Sequence, residues 1–199
     1  MSFKDEINAE AKKYGGGSSN SDFFAFEEGV NRMRILAQPK VIAYHFFGEG
    51  QKPDVCVGID EGCKHHGEGI KKPTIKLCTY VIDRKDNKVK FAELPLSISY
   101  AINDLQEDSD FAFEGFPMPY DVKITHDPKN PDPKAKYRLV ASPKQEELTE
   151  EEMKSFEEAH TKMSPETYVQ IRKDKQTSLT KTDGKMPDYP EADPEPVPF

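Results

Sequence analysis

The sequence predicts a mainly β domain with one internal helix and a charged, helical C-terminal extension. Three observations carry that expectation. Between residues 23 and 143 apolar and polar residues alternate in several short runs, the period of a half-buried strand. One interior stretch, 97–106, instead places Ile98, Ala101, Ile102 and Leu105 at helical spacing. Beyond Pro143 the alternation stops and glutamate-rich helix signals replace it. The 199 residues are 35% hydrophobic and 32% charged, which suits one compact domain diluted by solvated sequence.

Each element follows from a local pattern. Residues 2–13 suit a short helix and 15–21 compose a Gly/Ser linker, so 1–22 reads as an N-terminal arm. In the 23–148 domain, 31–35 puts Arg32 and Arg34 on one strand face and Met33 and Ile35 on the other. Residues 41–47 are rich in β-branched and aromatic side chains. In 74–82, Ile75, Leu77, Thr79 and Val81 share one face, with Lys76, Cys78 and Tyr80 opposite. Residues 83–87 form a turn and 88–94 a return strand, which makes 74–94 a hairpin. Two further strands, 120–125 and 137–141, flank a proline-rich loop over 127–134. Short strands interrupted by one helix fit a small Greek-key barrel such as the OB-fold, or an open sandwich. Thr149 and Glu152 make a capping box that opens a helix to about 162, and Ser164-Pro165 opens another to about 174. Residues 175–199 are almost without apolar content until their end and read as a disordered acidic tail.

Several classes of protein are excluded at this stage. No apolar run approaches the roughly 18–20 residues of a membrane span, and the first residues lack a signal-peptide core. A soluble, cytoplasmic protein is therefore expected. Three cysteines cannot form a closed disulfide framework and read as free thiols or metal ligands. Nucleophile-elbow, Walker and dinucleotide fingerprints are absent. His66-Gly67-Glu68 matches half of a zinc-deaminase signature, but the P-C-x-x-C half is missing, so no enzyme is expected.

Two constellations point to function. His45, Cys56, Cys63 and His66, with His65 and Cys78 as substitutes, surround a Gly-rich loop too poor in apolar residues to hold itself. A Cys₂His₂ zinc site in a 45–72 insertion would close it, with four protein ligands and no open position, as in a structural centre. The second constellation interleaves cations and rings: Arg32, Arg34, Tyr44, Phe46, Lys72, Lys76, Tyr80, Arg84, Lys88, Lys90 and Phe91. Single-stranded nucleic acid is bound by such mixtures, bases stacking on rings while cations track phosphates. The net charge of −8 conceals a dipolar layout, with eight basic and three acidic side chains over 64–90 and a net −6 over 144–199. The tail carries Asp188, Glu191, Asp193 and Glu195 before Phe199, a pattern suited to docking a basic, apolar-lined pocket on a partner protein.

The stretch Phe26-Glu27-Glu28-Gly29-Val30-Asn31-Arg32-Met33-Arg34-Ile35-Leu36 resembles the "glycine, then Asn-x-Arg-x-Leu" first strand of phage single-stranded DNA-binding proteins. The cysteine and histidine cluster, the run YVIDRKDNKVKFAELP, the helix over 97–106 and the closing strands at 120–125 and 137–143 follow in that family's order. The resemblance spans roughly 23–150. It implies an OB-fold, a five-stranded Greek-key barrel, bearing a zinc-binding insertion and coating single-stranded DNA in replication, recombination or repair. The terminal Pro-Phe is similar to the tip through which bacterial single-stranded DNA-binding proteins recruit replication and repair partners. Two other functions suit the same residues: an OB-fold RNA binder, and a zinc-stabilised protein-interaction scaffold.

Overall fold

The computed structural model describes residues 22–47, 52–66, 72–133, 135–145 and 147–182. The arm and linker expected before residue 22, and the tail from 183 with Asp188, Glu191, Asp193, Glu195 and Phe199, lie outside the described residues. Seven strands form one sheet: β1 (Gly29–Ile35), β2 (Lys40–His45), β3 (Asp54–Val55), β4 (Thr74–Asp83), β5 (Lys88–Pro95), β6 (Tyr120–His126) and β7 (Tyr137–Gln145). Helix α1 (Leu96–Glu107) lies between β5 and β6, and α2 (Glu150–Lys162) and α3 (Pro165–Thr182) follow β7.

The long strand β4 organises the sheet, and every ladder is antiparallel. One edge of β4 carries β5; the other is shared by β2, against 74–78, and β1, against 81–83. Where β1 gives way to β2, the Leu36 N–H donates to the Tyr80 carbonyl at 2.8 Å and Thr79 Oγ1 donates to the Ala37 carbonyl at 2.6 Å. Residues 29–45 thus run as one bent strand, interrupted near Pro39, which has no N–H to donate. The far edge of β1 pairs with β6, and β6 with β7, giving the order β3-β2-β4-β1-β6-β7 with β5 on β4. No described ladder joins β5 to β7. The sheet is open rather than a clearly closed barrel.

Both faces of this sheet are covered. On one, Ile98 and Ile102 of α1 bury against Met33, Val81, Leu94, Val122 and Ile124. Each such side chain contributes roughly 1.5–3 kcal/mol of hydrophobic stabilisation. On the other, Tyr44, Cys78, Tyr80, Ile82 and Phe91 form a second core under Phe156, Ala159, Tyr168 and Val169 of the α2–α3 hairpin. The alternation of β4 is as the sequence predicts; what the sequence does not announce is that its second face is interior too.

The helix ends have their predicted chemistry. The Glu152 N–H donates to Thr149 Oγ1 at 3.2 Å and the Thr149 N–H to the Glu152 carboxylate at 2.9 Å, the reciprocal bonds of a capping box. The Thr167 N–H donates to Ser164 Oγ at 3.1 Å ahead of Pro165. Helix α3, expected to close near 174, continues to Thr182 and overturns the reading of 175–182 as disordered. In the extension Gln176 is buried and Thr177 Oγ1 donates to the Lys173 carbonyl at 3.1 Å. Among the described residues no helix is long and apolar enough to cross a membrane.

Candidate metal centre and aromatic surfaces

The expected metal ligands converge. Strand β2 ends at His45, β3 delivers Cys56, and a tight turn presents Cys63 and His66. Their four donor atoms lie within 4.8 Å of one another. Cys56 Sγ is 3.1 Å from His66 Nε2, and Cys63 Sγ is 3.5 Å from His45 Nε2. A tetrahedral ion with Zn–S near 2.3 Å and Zn–N near 2.0–2.1 Å separates sulfur from nitrogen by about 3.5 Å, so the donor set fits. The loop is folded by its backbone: the Cys56 N–H donates to Ala43 at 2.8 Å and the Cys63 N–H to Gly58 at 3.0 Å. Gly58 and Gly62 sit at φ +105° and +75°, a region that side chains strain to enter, and so bring the two cysteines together. Burial pushes the Cys56 thiol above its ordinary pKa, and the neighbouring Cys63 adds to the shift. A cation that accepts both thiolates relieves that cost.

The two substitute ligands are placed elsewhere. His65 is buried with its Nε2 2.8 Å from Asp54 Oδ2, a contact that braces β3 against the Cys63–His66 turn. Cys78 is fully buried in the second core, where burial raises its thiol to about 12.

The aromatic and basic set divides. Tyr80 is 6% exposed, and its hydroxyl donates to the carbonyls of Ala159 at 3.1 Å and Met163 at 2.8 Å, at the end of α2. Phe91, 4% exposed, meets the Tyr168 ring at 4.5 Å. Tyr44 is buried under Arg172 and donates to Glu93, and burial together with that carboxylate raises its pKa. These three rings are core, which corrects their reading as an exposed stacking face. The physical reason is the α2–α3 cover.

Arg34 is corrected likewise. It is 1% exposed, its Nε 2.9 Å from Asp121. Asp121 also takes Arg32 at 2.8 Å and Arg84 at 3.1 Å, and Arg84 reaches on to Glu152 of α2. Burial works against the Arg84 charge, but the Glu152 and Asp121 carboxylates outweigh it and raise its pKa. Lys90 is held by Asp83 at 2.6 Å and Asp86 at 2.8 Å, so it too is tied into the fold. The motif residues Gly29 and Asn31 act locally: Gly29 takes φ +97°, and Asn31 exchanges 2.9 Å hydrogen bonds with the Glu27 backbone.

What remains at the surface is Phe46, 46% exposed, with Lys72 and Lys88, the outer part of Arg32, and Lys76, whose Nζ is 3.1 Å from Glu93. Sequence reasoning missed Asp121 and Glu93, the carboxylates that organise these cations. An aspartate set between Tyr120 and Val122 in the strand YDVKI was the available signal. It also missed a second aromatic group, Phe26, Tyr100, His126 and Tyr137, which lines an open groove on the α1 side of the sheet. No protein-family model matches the chain, and no curated protein or solved structure is significantly similar to it.

Proposed function

We propose that this protein binds single-stranded DNA without sequence preference, on an OB-type β domain braced by a structural zinc ion. The observation that carries the reading is the order and pairing of the strands. A bent first strand, 29–45, pairs with both β4 and β6; the metal-ligand loop is inserted between β2 and β4; and α1 stands between β5 and β6. That layout, together with the resemblance of 23–150 to phage single-stranded DNA-binding proteins, supports a partly open Greek-key barrel of the kind that binds oligonucleotides.

On this reading His45, Cys56, Cys63 and His66 hold the zinc, which cross-links β2, β3 and the 56–66 loop and supplies no reaction chemistry. Arg32, Lys72, Lys76 and Lys88 face phosphates. The acidic tail recruits replication or recombination proteins through Phe199 and competes with DNA for the cationic face.

Titration of fluorescent oligo-dT, oligo-U and duplex DNA tests the function. Preferential oligo-dT binding is expected, with log affinity falling against log salt at a slope of about −2 to −3.5, as three to five phosphate contacts require. A flat salt response, or preference for oligo-U or duplex, overturns it. Elemental analysis of the purified protein is expected to find one zinc per chain; protein without zinc overturns the metal assignment.

A further inference from the structure

A groove of about 1000 Å³ opens where β4 begins, β5 ends and α1 starts, bounded across the sheet by the β6–β7 ladder end. That volume is at the upper end of ordinary ligand clefts. One wall is a preassembled block of rings. His126 and Tyr137 stack at 4.6 Å with an interplanar angle of 4°, and Phe26 meets the Tyr137 ring edge-on at 5.1 Å. The same groove is lined by Tyr100, on the first turns of α1, which is 64% exposed and engages no other ring among the described residues. Ile75 is exposed beside it.

The mouth has the complementary polarity. Helix α1 begins on the groove, its N-cap is Pro95, no side chain caps it, and its first turn carries no acid. The amides and dipole of its first turn therefore favour an anion at that end. The one carboxylate in the lining, Glu93, is neutralised: it accepts Lys76 at 3.1 Å and the Tyr168 hydroxyl at 3.0 Å. Burial alone would raise the Glu93 pKa, yet its hydrogen-bond donors and the Lys76 charge hold it below the usual value. Flat apolar rings beside an anion-favouring helix end match a chain that alternates bases and phosphates. In duplex DNA the base faces are already stacked and unavailable.

We propose that this groove, rather than the Tyr44–Tyr80–Phe91 face, takes the bases of single-stranded DNA, one base lying against Tyr100 and its phosphate at the α1 N-terminus. The inference rests on the single-strand reading above and assigns that reading its surface.

Oligo-dT titration of the full chain against Tyr100→Ala and Tyr100→Phe tests it, because an exposed ring is removable without disturbing the core. Tyr100→Ala is expected to weaken oligo-dT binding about 5- to 150-fold, the change that loss of one base stack produces. Tyr100→Phe is expected to stay within about twofold. Photocrosslinking with iodouracil-substituted oligonucleotide is expected to label Tyr100 or Tyr137. Unchanged affinity in Tyr100→Ala while the parent still binds oligo-dT overturns the groove and spares the function; no oligo-dT binding by the parent overturns both. If Tyr100→Ala instead releases a synthetic peptide of residues 183–199 and leaves oligo-dT affinity intact, the occupant is an acidic segment and the proposal falls.

Discussion

Two aromatic groups flank the β4–β5 hairpin, and they have opposite fates. Tyr44, Tyr80 and Phe91 are enclosed, the Tyr44 hydroxyl bound to Glu93 and the Tyr80 hydroxyl to the last carbonyls of α2. Phe26, Tyr100, His126 and Tyr137 line an open groove, with Tyr100 largely exposed. Both groups lie beside cations, and both have the composition of a stacking surface. The difference lies in what packs over them. The C-terminal hairpin reaches the first group, while α1 passes beside the second and leaves Tyr100 exposed and the other rings half-buried. A ring on an alternating strand is thus assigned to core or surface by a segment some seventy residues away in sequence.

Three measurements break or sharpen that contrast. The largest effect belongs to Tyr80→Ala, which removes a buried ring and the hydroxyl proton shared between the Ala159 and Met163 carbonyls. It should cost about 3–5 kcal/mol of stability in a denaturant titration, with the oligo-dT affinity of the folded fraction little changed. If the stability is untouched and binding collapses, the enclosed face is the binding face and the comparison inverts.

Next is Glu93→Gln, which removes the charge shared by Lys76, Tyr44 and Tyr168. A loss of about 1–2 kcal/mol is expected, together with a flatter pH profile. The carboxyl of Glu93 is held below its ordinary pKa in the fold. Its contribution is therefore present above the unfolded value near about 4.3 and is lost as pH falls through the lower folded value. Glu152, lowered by the Thr149 N–H and then by Arg84, and Glu166, lowered by Lys40, act in the same direction, so acid should undock the hairpin before the α1 core opens. Hydrogen exchange across the carboxylate range reads this out; simultaneous opening of both layers would contradict it. The smallest effect is that of Lys72→Ala, which should reduce the salt slope of oligo-dT binding by about 0.7. An unchanged slope removes Lys72 from the phosphate path.

The same contrast explains what the sequence made legible. The hairpin over 74–94 is visible because period-two alternation is a local property, and α1 because its apolar stripe is. The metal ligands were readable because donor type and loop spacing are sparse signals, although only the fold separates His66 from its neighbour His65, which Asp54 engages. Strand β3 was not readable, since two residues show no period. Burial of Tyr80 and Arg34 was hidden for another reason. Both sit at regularly polar positions, and their partners, Ala159, Met163 and Asp121, are distant in sequence. The groove rings come from four separate elements and form no motif. Tyr100 alone carried a local sign, since it falls off the apolar stripe of Ile98, Ala101, Ile102 and Leu105.

The charge cluster at Asp121 has a consequence for how the chain is made. One buried carboxylate there faces Arg32, Arg34 and Arg84, and the second carboxylate that Arg84 uses comes from Glu152, the residue that also closes the α2 capping box. A ribosome delivers all seven strands before it delivers Glu152. At roughly 5–20 residues per second, adding residues 146–182 takes about two to seven seconds, during which the Tyr44–Tyr80–Phe91 face is bare and, at first, a guanidinium is short of its counter-charge. During that interval the nascent protein presents a sticky, cationic, aromatic surface that the finished protein does not have. Synthesis of α3 is therefore also the step at which the α2–α3 cover can first form and the misassembly hazard ends.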